Sequence, residues 1–304
     1  MKFVEVGGGR MSAIGLGTWQ FGSMEWGYGR GYASGEAIAI VHRALELGVN
    51  VIDTAEIYGQ GRSEKIVGQA IRDRREKVFL ATKLFPVGLP IQVAARARAS
   101  ARRLGVAHLD LYQLHWPSPI FPLRYTMPRF KRLVDDGLVG HIGVSNFPLK
   151  GWQDAERAAG MPVLSNQVQF SLLHRGPEVE VLPWAQAQGR IVIAYSPLGQ
   201  GLLSGRYRDR APSNFRRLRS DFHARSRARL APLIAALAEI ARHHEATAAQ
   251  VSLAWLVAKP NVVAIPGASS VAQVEENAAA ADIVLTADEI ERLDSLAPQP
   301  LAAE

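Results

Sequence analysis

Residues 49–70 read Val-Asn-Val-Ile-Asp-Thr-Ala-Glu-Ile-Tyr-Gly-Gln-Gly-Arg-Ser-Glu-Lys-Ile-Val-Gly-Gln-Ala. A β-rich run, Val49–Thr54, leads through a glycine-bearing turn to Ile66, Val67 and Ala70, which share one face of a helical period. This is one βα unit, with Ser63 placed to cap its helix. The same order recurs along the chain. Candidate strands fall at Ala13–Thr18, Val49–Thr54, Val78–Lys83, Leu109–His115, Val139–Ser145, Leu164–Gln169, Ile191–Ser196 and Val262–Pro266. Strand and helix alternating in this way call for a parallel sheet, and 304 residues suit an α/β fold of the (β/α)8 TIM barrel type. Residues 3–11 read as a hairpin closing the barrel floor, and no composition shift divides residues 1–304, so they read as a single domain.

The helices carry their own start and stop signals. Ser34 precedes Ile38, Val41 and Leu45 on one face, with Gly48 at the end where a left-handed residue is favoured. Thr247 to Gln250, Ser270 to Gln273 and Thr286 to Glu289 each have the spacing of a capping box. Between the seventh and eighth strands two helical segments, about 232–244 and 247–259, take the place of one. An arginine-rich loop and an extra helix are therefore inserted there.

Composition narrows the function. Hydrophobic residues make up 48% of the chain, and the absence of cysteine excludes disulfides, thiolate metal sites and a cysteine nucleophile. Met1 to Arg10 lack the apolar core of a signal peptide, and no apolar run has the length of a membrane span, so a cytoplasmic protein is expected. The net charge of +7 resides in one stretch: Arg206 to Arg229 holds nine arginines against Asp209 and Asp221, and the rest of the chain is balanced. One concentrated loop does not make the recurring basic stripe that tracks a duplex, so no nucleic-acid partner is expected. His243 and His244, adjacent on a helix, point about 100° apart and are not paired ligands, so no metal site is expected.

At the C-terminal ends of successive barrel strands, side chains converge on one pocket. Asp53 ends the second strand, Tyr58 follows in its loop, Lys83 ends the third and His115 ends the fourth. Each alone has an ordinary structural explanation. Together they suit reduction of a carbonyl, which builds negative charge on oxygen and calls for a proton donor. A tyrosine, with a pKa of about 10, gives up its proton reluctantly; a neighbouring lysine cation lowers that value, and an aspartate keeps the lysine charged. His115 is placed to hold the carbonyl oxygen near Tyr58.

These residues and their flanks closely resemble the aldo-keto reductase family over almost the whole chain. The resemblance rests on Gly-Leu-Gly-Thr-Trp at 15–19, Asp-Thr-Ala-Glu-Ile-Tyr-Gly at 53–59, Ser-Glu-Lys-Ile-Val-Gly at 63–68 and Leu-His-Trp-Pro at 114–117. Gly-Val-Ser-Asn-Phe at 143–147, Asn-Gln-Val-Gln at 166–169, Ala-Tyr-Ser-Pro-Leu at 194–198 and Ile-Pro-Gly-Ala at 265–268 extend it. It implies catalysis by Asp53, Tyr58, Lys83 and His115, with hydride passing from a nicotinamide cofactor to a small-molecule aldehyde or ketone. It further implies that Ser145, Asn146 and Gln167 hold the carboxamide, Tyr195 stacks on the ring, and Ser196, Leu198, Gly199 and Gly201 follow the pyrophosphate. Thr18 and Trp19 join the cofactor set, and Glu276 and Asn277 match adenine-contacting positions. Gly199-Gln-Gly201-Leu-Leu-Ser is not a Gly-x-Gly-x-x-Gly fingerprint, which argues against a Rossmann domain.

Cations that usually meet a 2′-phosphate after the last strand are missing here. Gly267, Ser269 and Gln273 offer neutral donors, and charge is expected from Arg216, Arg217 or Arg219 of the basic loop, folded over the site. NADPH is the expected cofactor, with NADH as the competitor. Trp26, Tyr28 and Trp116, with Trp19, Met24 and Phe121, suggest an aromatic-walled substrate cavity. The resemblance also extends to the β subunits of potassium channels, so a cofactor-sensing interaction protein is the alternative to an enzyme.

Overall fold

The computed structural model describes residues 1–7, 9–24, 28–29, 33–207, 212 and 219–300. The chain opens with an antiparallel hairpin, β1 (Phe3–Val6) and β2 (Gly9–Ser12). Eight parallel strands follow: β3 (Leu16–Gly17), β4 (Val51–Asp53), β5 (Phe79–Leu84), β6 (Leu109–Leu114), β7 (Val139–Ser145), β8 (Ser165–Gln169), β9 (Ile191–Tyr195) and β10 (Val262–Ala264). Each pairs with its predecessor, as expected of a barrel built from consecutive βα units.

The seam between first and last strands is closed by backbone hydrogen bonds. Gly15 N donates to Ala264 O at 2.7 Å, Ala264 N to Ala13 O at 2.8 Å and Gly17 N to Pro266 O at 3.1 Å. Gly17 is required at this seam, because a Cβ there would stand 2.9 Å from the Ile265 carbonyl oxygen.

Helices α1 (Ser34–Glu46), α2 (Arg62–Ile71), α3 (Val93–Leu104), α4 (Leu123–Asp135), α5 (Leu149–Ala159) and α6 (Val181–Ala187) join the first seven barrel strands. Between β9 and β10 stand α7 (Ala224–His243) and α8 (Ala248–Val257); α9 (Val271–Ala279) and α10 (Ala287–Leu296) come last. Among the described residues no helix is long and apolar enough to cross a membrane.

Strand alternation decides what reaches the site. Val51, Phe79, Ala81, Leu111, Ile191, Ile193 and Val263 fill the barrel interior, with Val6 and Met11 of the hairpin plugging its floor. Two residues further along the same inward rows stand Asp53 after Val51, Lys83 after Ala81, Gln113 after Leu111 and Tyr195 after Ile193. The interior is thus apolar below and polar at its C-terminal rim. The outward rows, such as Ile52, Leu80, Tyr112 and Val144, pack under the helices.

Three details differ from expectation. Ser34 and Ser63 are inside their helices, capped by Ala33 and Gly61 instead. Their hydroxyls have other partners, Tyr28 for Ser34 and a buried network for Ser63. Ser270 accepts from Gln273 N, but Gln273 Oε1 takes Ser269 N in place of Ser270 N, so that capping box is only half formed. Finally, the basic stretch is not all loop: α7 begins at Ala224 and carries Arg225, Arg227 and Arg229.

Candidate active site

The second βα loop is locked around Tyr58. Tyr58–Gly61 forms a tight turn in which Gly59 has φ 53°, and a Cβ on Gly59 would meet Gly22 O at 2.9 Å. On either side the turn is anchored by buried hydroxyls. Ser63 Oγ lies 2.9 Å from Thr54 Oγ1 and 2.8 Å from Thr18 Oγ1, and donates to Thr18 O at 2.9 Å. Thr18 Oγ1 in turn donates to Asp53 O at 2.9 Å. The first strand, second strand and start of α2 are stitched together immediately beneath Tyr58.

Lys83 is fully buried, and its ammonium has three partners for its three protons. Nζ donates to Asp53 Oδ1 at 2.6 Å, to Thr54 O at 2.9 Å and to Tyr58 Oη at 3.3 Å. Across the pocket the His115 ring meets Tyr58 edge-on at 5.8 Å between centroids, and Phe85 at 5.9 Å. His115 Nδ1 is buried without a hydrogen-bond partner.

Burial competes with charge at each of these groups. Desolvation raises the Tyr58 pKa, and the nearby Lys83 cation offsets only part of that rise, so the phenol stays protonated near neutrality. Lys83 therefore does not bring about the expected net acidification of Tyr58, because burial outweighs it. Burial alone would lower the Lys83 pKa, yet Asp53 and Tyr58 together bring it above the ordinary lysine value, and the amine stays charged. His115 is lowered to about 3 by burial and then by Lys83, so its imidazole is neutral.

A cavity of ≈ 910 Å³ opens over this group, with Asp53, Tyr58 and His115 in its wall and Lys83 behind them. Thr18, Trp19, Ser145, Asn146, Gln167, Tyr195, Ser196, Leu198 and Gly201 line it, as do Gly267, Ser269, Gln273, Glu276 and Asn277 on the far side and Trp116 at the mouth. The polar side chains are held by backbone carbonyls and by one another. Ser145 Oγ donates to Gln167 O at 2.9 Å, Asn146 Nδ2 to His115 O at 3.2 Å, and Tyr195 Oη to Asn146 Oδ1 at 2.9 Å. Asn146 and Ser196 adopt left-handed φ of 63° and 50°, which turn the chain sharply at the ends of β7 and β9.

Four expected contacts are not in the wall: Met24, which is exposed, Phe121, which lines a separate small groove, Tyr28 and Gly199. Tyr28 turns to Ser34, with its hydroxyl 2.6 Å from Ser34 Oγ, and Arg62 lies over its ring. Gly199 is buried against Leu173, where a Cβ would come within 2.7 Å, and it shapes the turn without facing the cavity. Trp26, Arg216 and Arg217 lie outside the described residues. Conversely, Arg206, Arg219, Gln20, Gln200 and Thr247 line the cavity and were not in the expected set, apart from Arg219 as one of three candidates. The charge of the 206–229 stretch was the available signal for Arg206. Gln20 had none, since its Nε2 bonds Ala268 O at 2.7 Å across the barrel seam.

The aldo/keto reductase family model matches residues 13–298. The chain belongs to the aldo/keto reductase family. It is therefore an NAD(P)H-dependent oxidoreductase. An uncharacterized oxidoreductase of Mycobacterium tuberculosis is 51% identical over 300 residues, covering 98% of this chain and 93% of that protein. A methylglyoxal reductase of Escherichia coli is 37% identical over 95% of this chain and 92% of its own length. Among solved structures, an aldo-keto reductase from Klebsiella pneumoniae in complex with NADPH superposes with a TM-score of 0.80 at 35% identity, covering 98% of this chain and 96% of that one.

Proposed function

We propose that this aldo/keto reductase, acting as a single barrel domain, reduces an aldehyde or ketone to the alcohol with NADPH, and that Tyr58 is the proton donor. The observation that carries this is the sharing of one buried ammonium, that of Lys83, between Asp53 Oδ1 and Tyr58 Oη in the floor of the cavity.

The donor set fits the cofactor. Ser145, Asn146 and Gln167 bring hydroxyl and amide groups together as a carboxamide requires, and the Tyr195 ring beside them suits a flat heterocycle. Arg206, Arg219, Ser196 and Ser204 line the stretch where a pyrophosphate would run. Ser269 and Gln273, at the start of α9, offer neutral donors to a further phosphate. When bound, NADPH supplies the hydride.

The chain's own residues supply the proton. Tyr58 gives its hydroxyl proton to the carbonyl oxygen, and Lys83 stabilises the phenolate left behind. Asp53 holds Lys83 charged and aimed. Neutral His115 carries one ring proton. A buried N–H without an acceptor costs more than a bare acceptor, so that proton sits on Nε2 and the bare nitrogen is Nδ1. His115 then donates to the same carbonyl oxygen and fixes it beside Tyr58.

The test is NADPH consumption with a panel of aldehydes and ketones, run in parallel with Tyr58→Phe. Full activity in the substituted protein would remove Tyr58 from the mechanism.

A further inference from the structure

Behind the cavity wall the barrel interior carries a row of polar side chains. Strand register places Lys83 beside Gln113, Gln113 beside Gly143 and Gly143 beside Ser165. Lys83, Gln113 and Ser165 are fully buried. Gly143 makes the room for two of them, since a Cβ there would stand 2.6 Å from Ser165 Oγ and 2.9 Å from Gln113 Cγ. Lys83 is fully bonded, but Gln113 is poorly served. Its Nε2 reaches Asp53 Oδ2 only at 3.5 Å, and Ser165 Oγ reaches its Oε1 only at 3.5 Å. Among the described residues neither side chain makes a shorter bond. A buried amide held this loosely is a cost that an apolar side chain of the same shape would avoid.

Asp53 Oδ2 already has a close donor, Gln167 Nε2 at 2.8 Å. Gln113 stands second in line for the same oxygen, and a shift of about half an ångström would bring it to ordinary hydrogen-bond length. The first donor has another duty. Gln167 is in the cavity wall with Ser145 and Asn146, where a carboxamide is assigned. As its amide turns to a ligand, its hold on Asp53 loosens. With no replacement, the buried carboxylate would lose a donor whenever cofactor binds, and binding would be weakened by that loss.

We propose that Gln113 is a positioning residue for the reduction: as Gln167 turns its amide from Asp53 Oδ2 towards the nicotinamide carboxamide, Gln113 closes on that oxygen and keeps Asp53 bonded on both sides behind Lys83. Ser165 holds the Gln113 amide with its N–H group towards Asp53. This hand-over rests on the reading above in which Gln167 meets the carboxamide. It gives the loosely bonded amide a use in the cofactor-bound protein.

A residue that serves only once cofactor is bound has a signature opposite to that of a packing residue. Gln113→Met, apolar and close in shape, should leave the urea midpoint of the cofactor-free protein unchanged or higher. It should raise the Kd for NADPH about tenfold, the scale of one hydrogen bond to a charged group. In a Gln167→Leu background the donors no longer exchange, because Gln113 serves Oδ2 with and without cofactor. There the same substitution should lower the urea midpoint and leave the Kd for NADPH within about twofold.

Urea unfolding and fluorescence titration of the unsubstituted protein, both single variants and the double variant give both readings. A lower urea midpoint in Gln113→Met with the NADPH Kd unchanged would overturn the proposal and leave Gln113 a packing residue. A tenfold effect on Kd that persists in the Gln167→Leu background would overturn it as well, since no exchange would be involved. NADPH binding unaffected by Gln167→Leu would remove the carboxamide assignment and the hand-over with it. The expected pattern of binding and stability in a protein that reduces no aldehyde or ketone would overturn the reductase mechanism and support the hand-over.

Discussion

Gln167 reaches across the barrel to Asp53, its Nε2 donating to Oδ2 at 2.8 Å, while the other carboxylate oxygen holds Lys83 at 2.6 Å. Both oxygens of one buried aspartate are thus engaged from opposite sides. The amide that would serve a nicotinamide carboxamide also steadies the charge behind Tyr58. Gln167→Leu should therefore do two things: weaken NADPH binding and lower kcat. Fluorescence titration and steady-state kinetics separate them, and a variant that changes only the cofactor Kd would show that Gln167 does not position Asp53.

Tyr58→Phe should reduce kcat by about 10²- to 10⁴-fold, the range for loss of a positioned general acid. NADPH binding should stay within about twofold, an estimate that follows because the missing hydroxyl is assigned to the proton and not to the cofactor. Single-turnover kinetics and a binding titration check both halves.

Lys83→Met leaves Asp53 buried and uncompensated, which should cost about 3–5 kcal/mol of stability in addition to activity. Adding Asp53→Asn to that variant should restore much of the stability and none of the activity. Urea unfolding of the two single variants and the double variant gives the coupling directly.

His115 gives a signed pH dependence. Its folded pKa of about 3 lies below the unfolded value of 6.5, so between those limits the unfolded chain binds more protons than the folded one. The stability associated with keeping it neutral is whole above pH 6.5 and is lost as pH falls towards 3. His115→Phe should be less sensitive to acid than the unsubstituted protein, measured as the difference in urea midpoint between pH 7.5 and pH 5. Equal acid sensitivity would mean that His115 already titrates near its ordinary value.

Arg206→Ala should raise the Kd for NADPH about tenfold, the scale of one charge-assisted hydrogen bond at a partly open site. Since Arg206 is remote in role from the proton transfer, kcat at saturating cofactor should change little. Repeating the titration with NADH measures how much of the effect belongs to the extra phosphate.

Much of this site is legible in the sequence because its chemistry sits at the ends of candidate strands. Asp53, Lys83 and His115 each close a candidate strand, and a short loop carries Tyr58 beside Asp53. Local pattern failed where a side chain's partner is distant in sequence. Ser34 and Ser63 have the right residue type and spacing for caps, but their hydroxyls are taken by Tyr28 and by Thr18 and Thr54. Tyr28 looked like a cavity aromatic for the same reason, and its contact with Ser34 is visible only in three dimensions. Gly199 serves backbone geometry, which its residue type announced, but the facing Leu173 was not predictable from spacing.

The barrel seam has a bearing on how the protein is made. Thr18, Trp19 and Gln20 emerge early in synthesis, yet the wall they share with Pro266, Gly267 and Ala268 exists only after some 250 further residues have been added. A nascent chain therefore holds Asp53, Tyr58, Lys83 and His115 long before it has a closed pocket in which to use them. Nucleotide capture has to follow closure, so cofactor present during refolding should slow reopening of the closed barrel and leave the earlier steps unaltered.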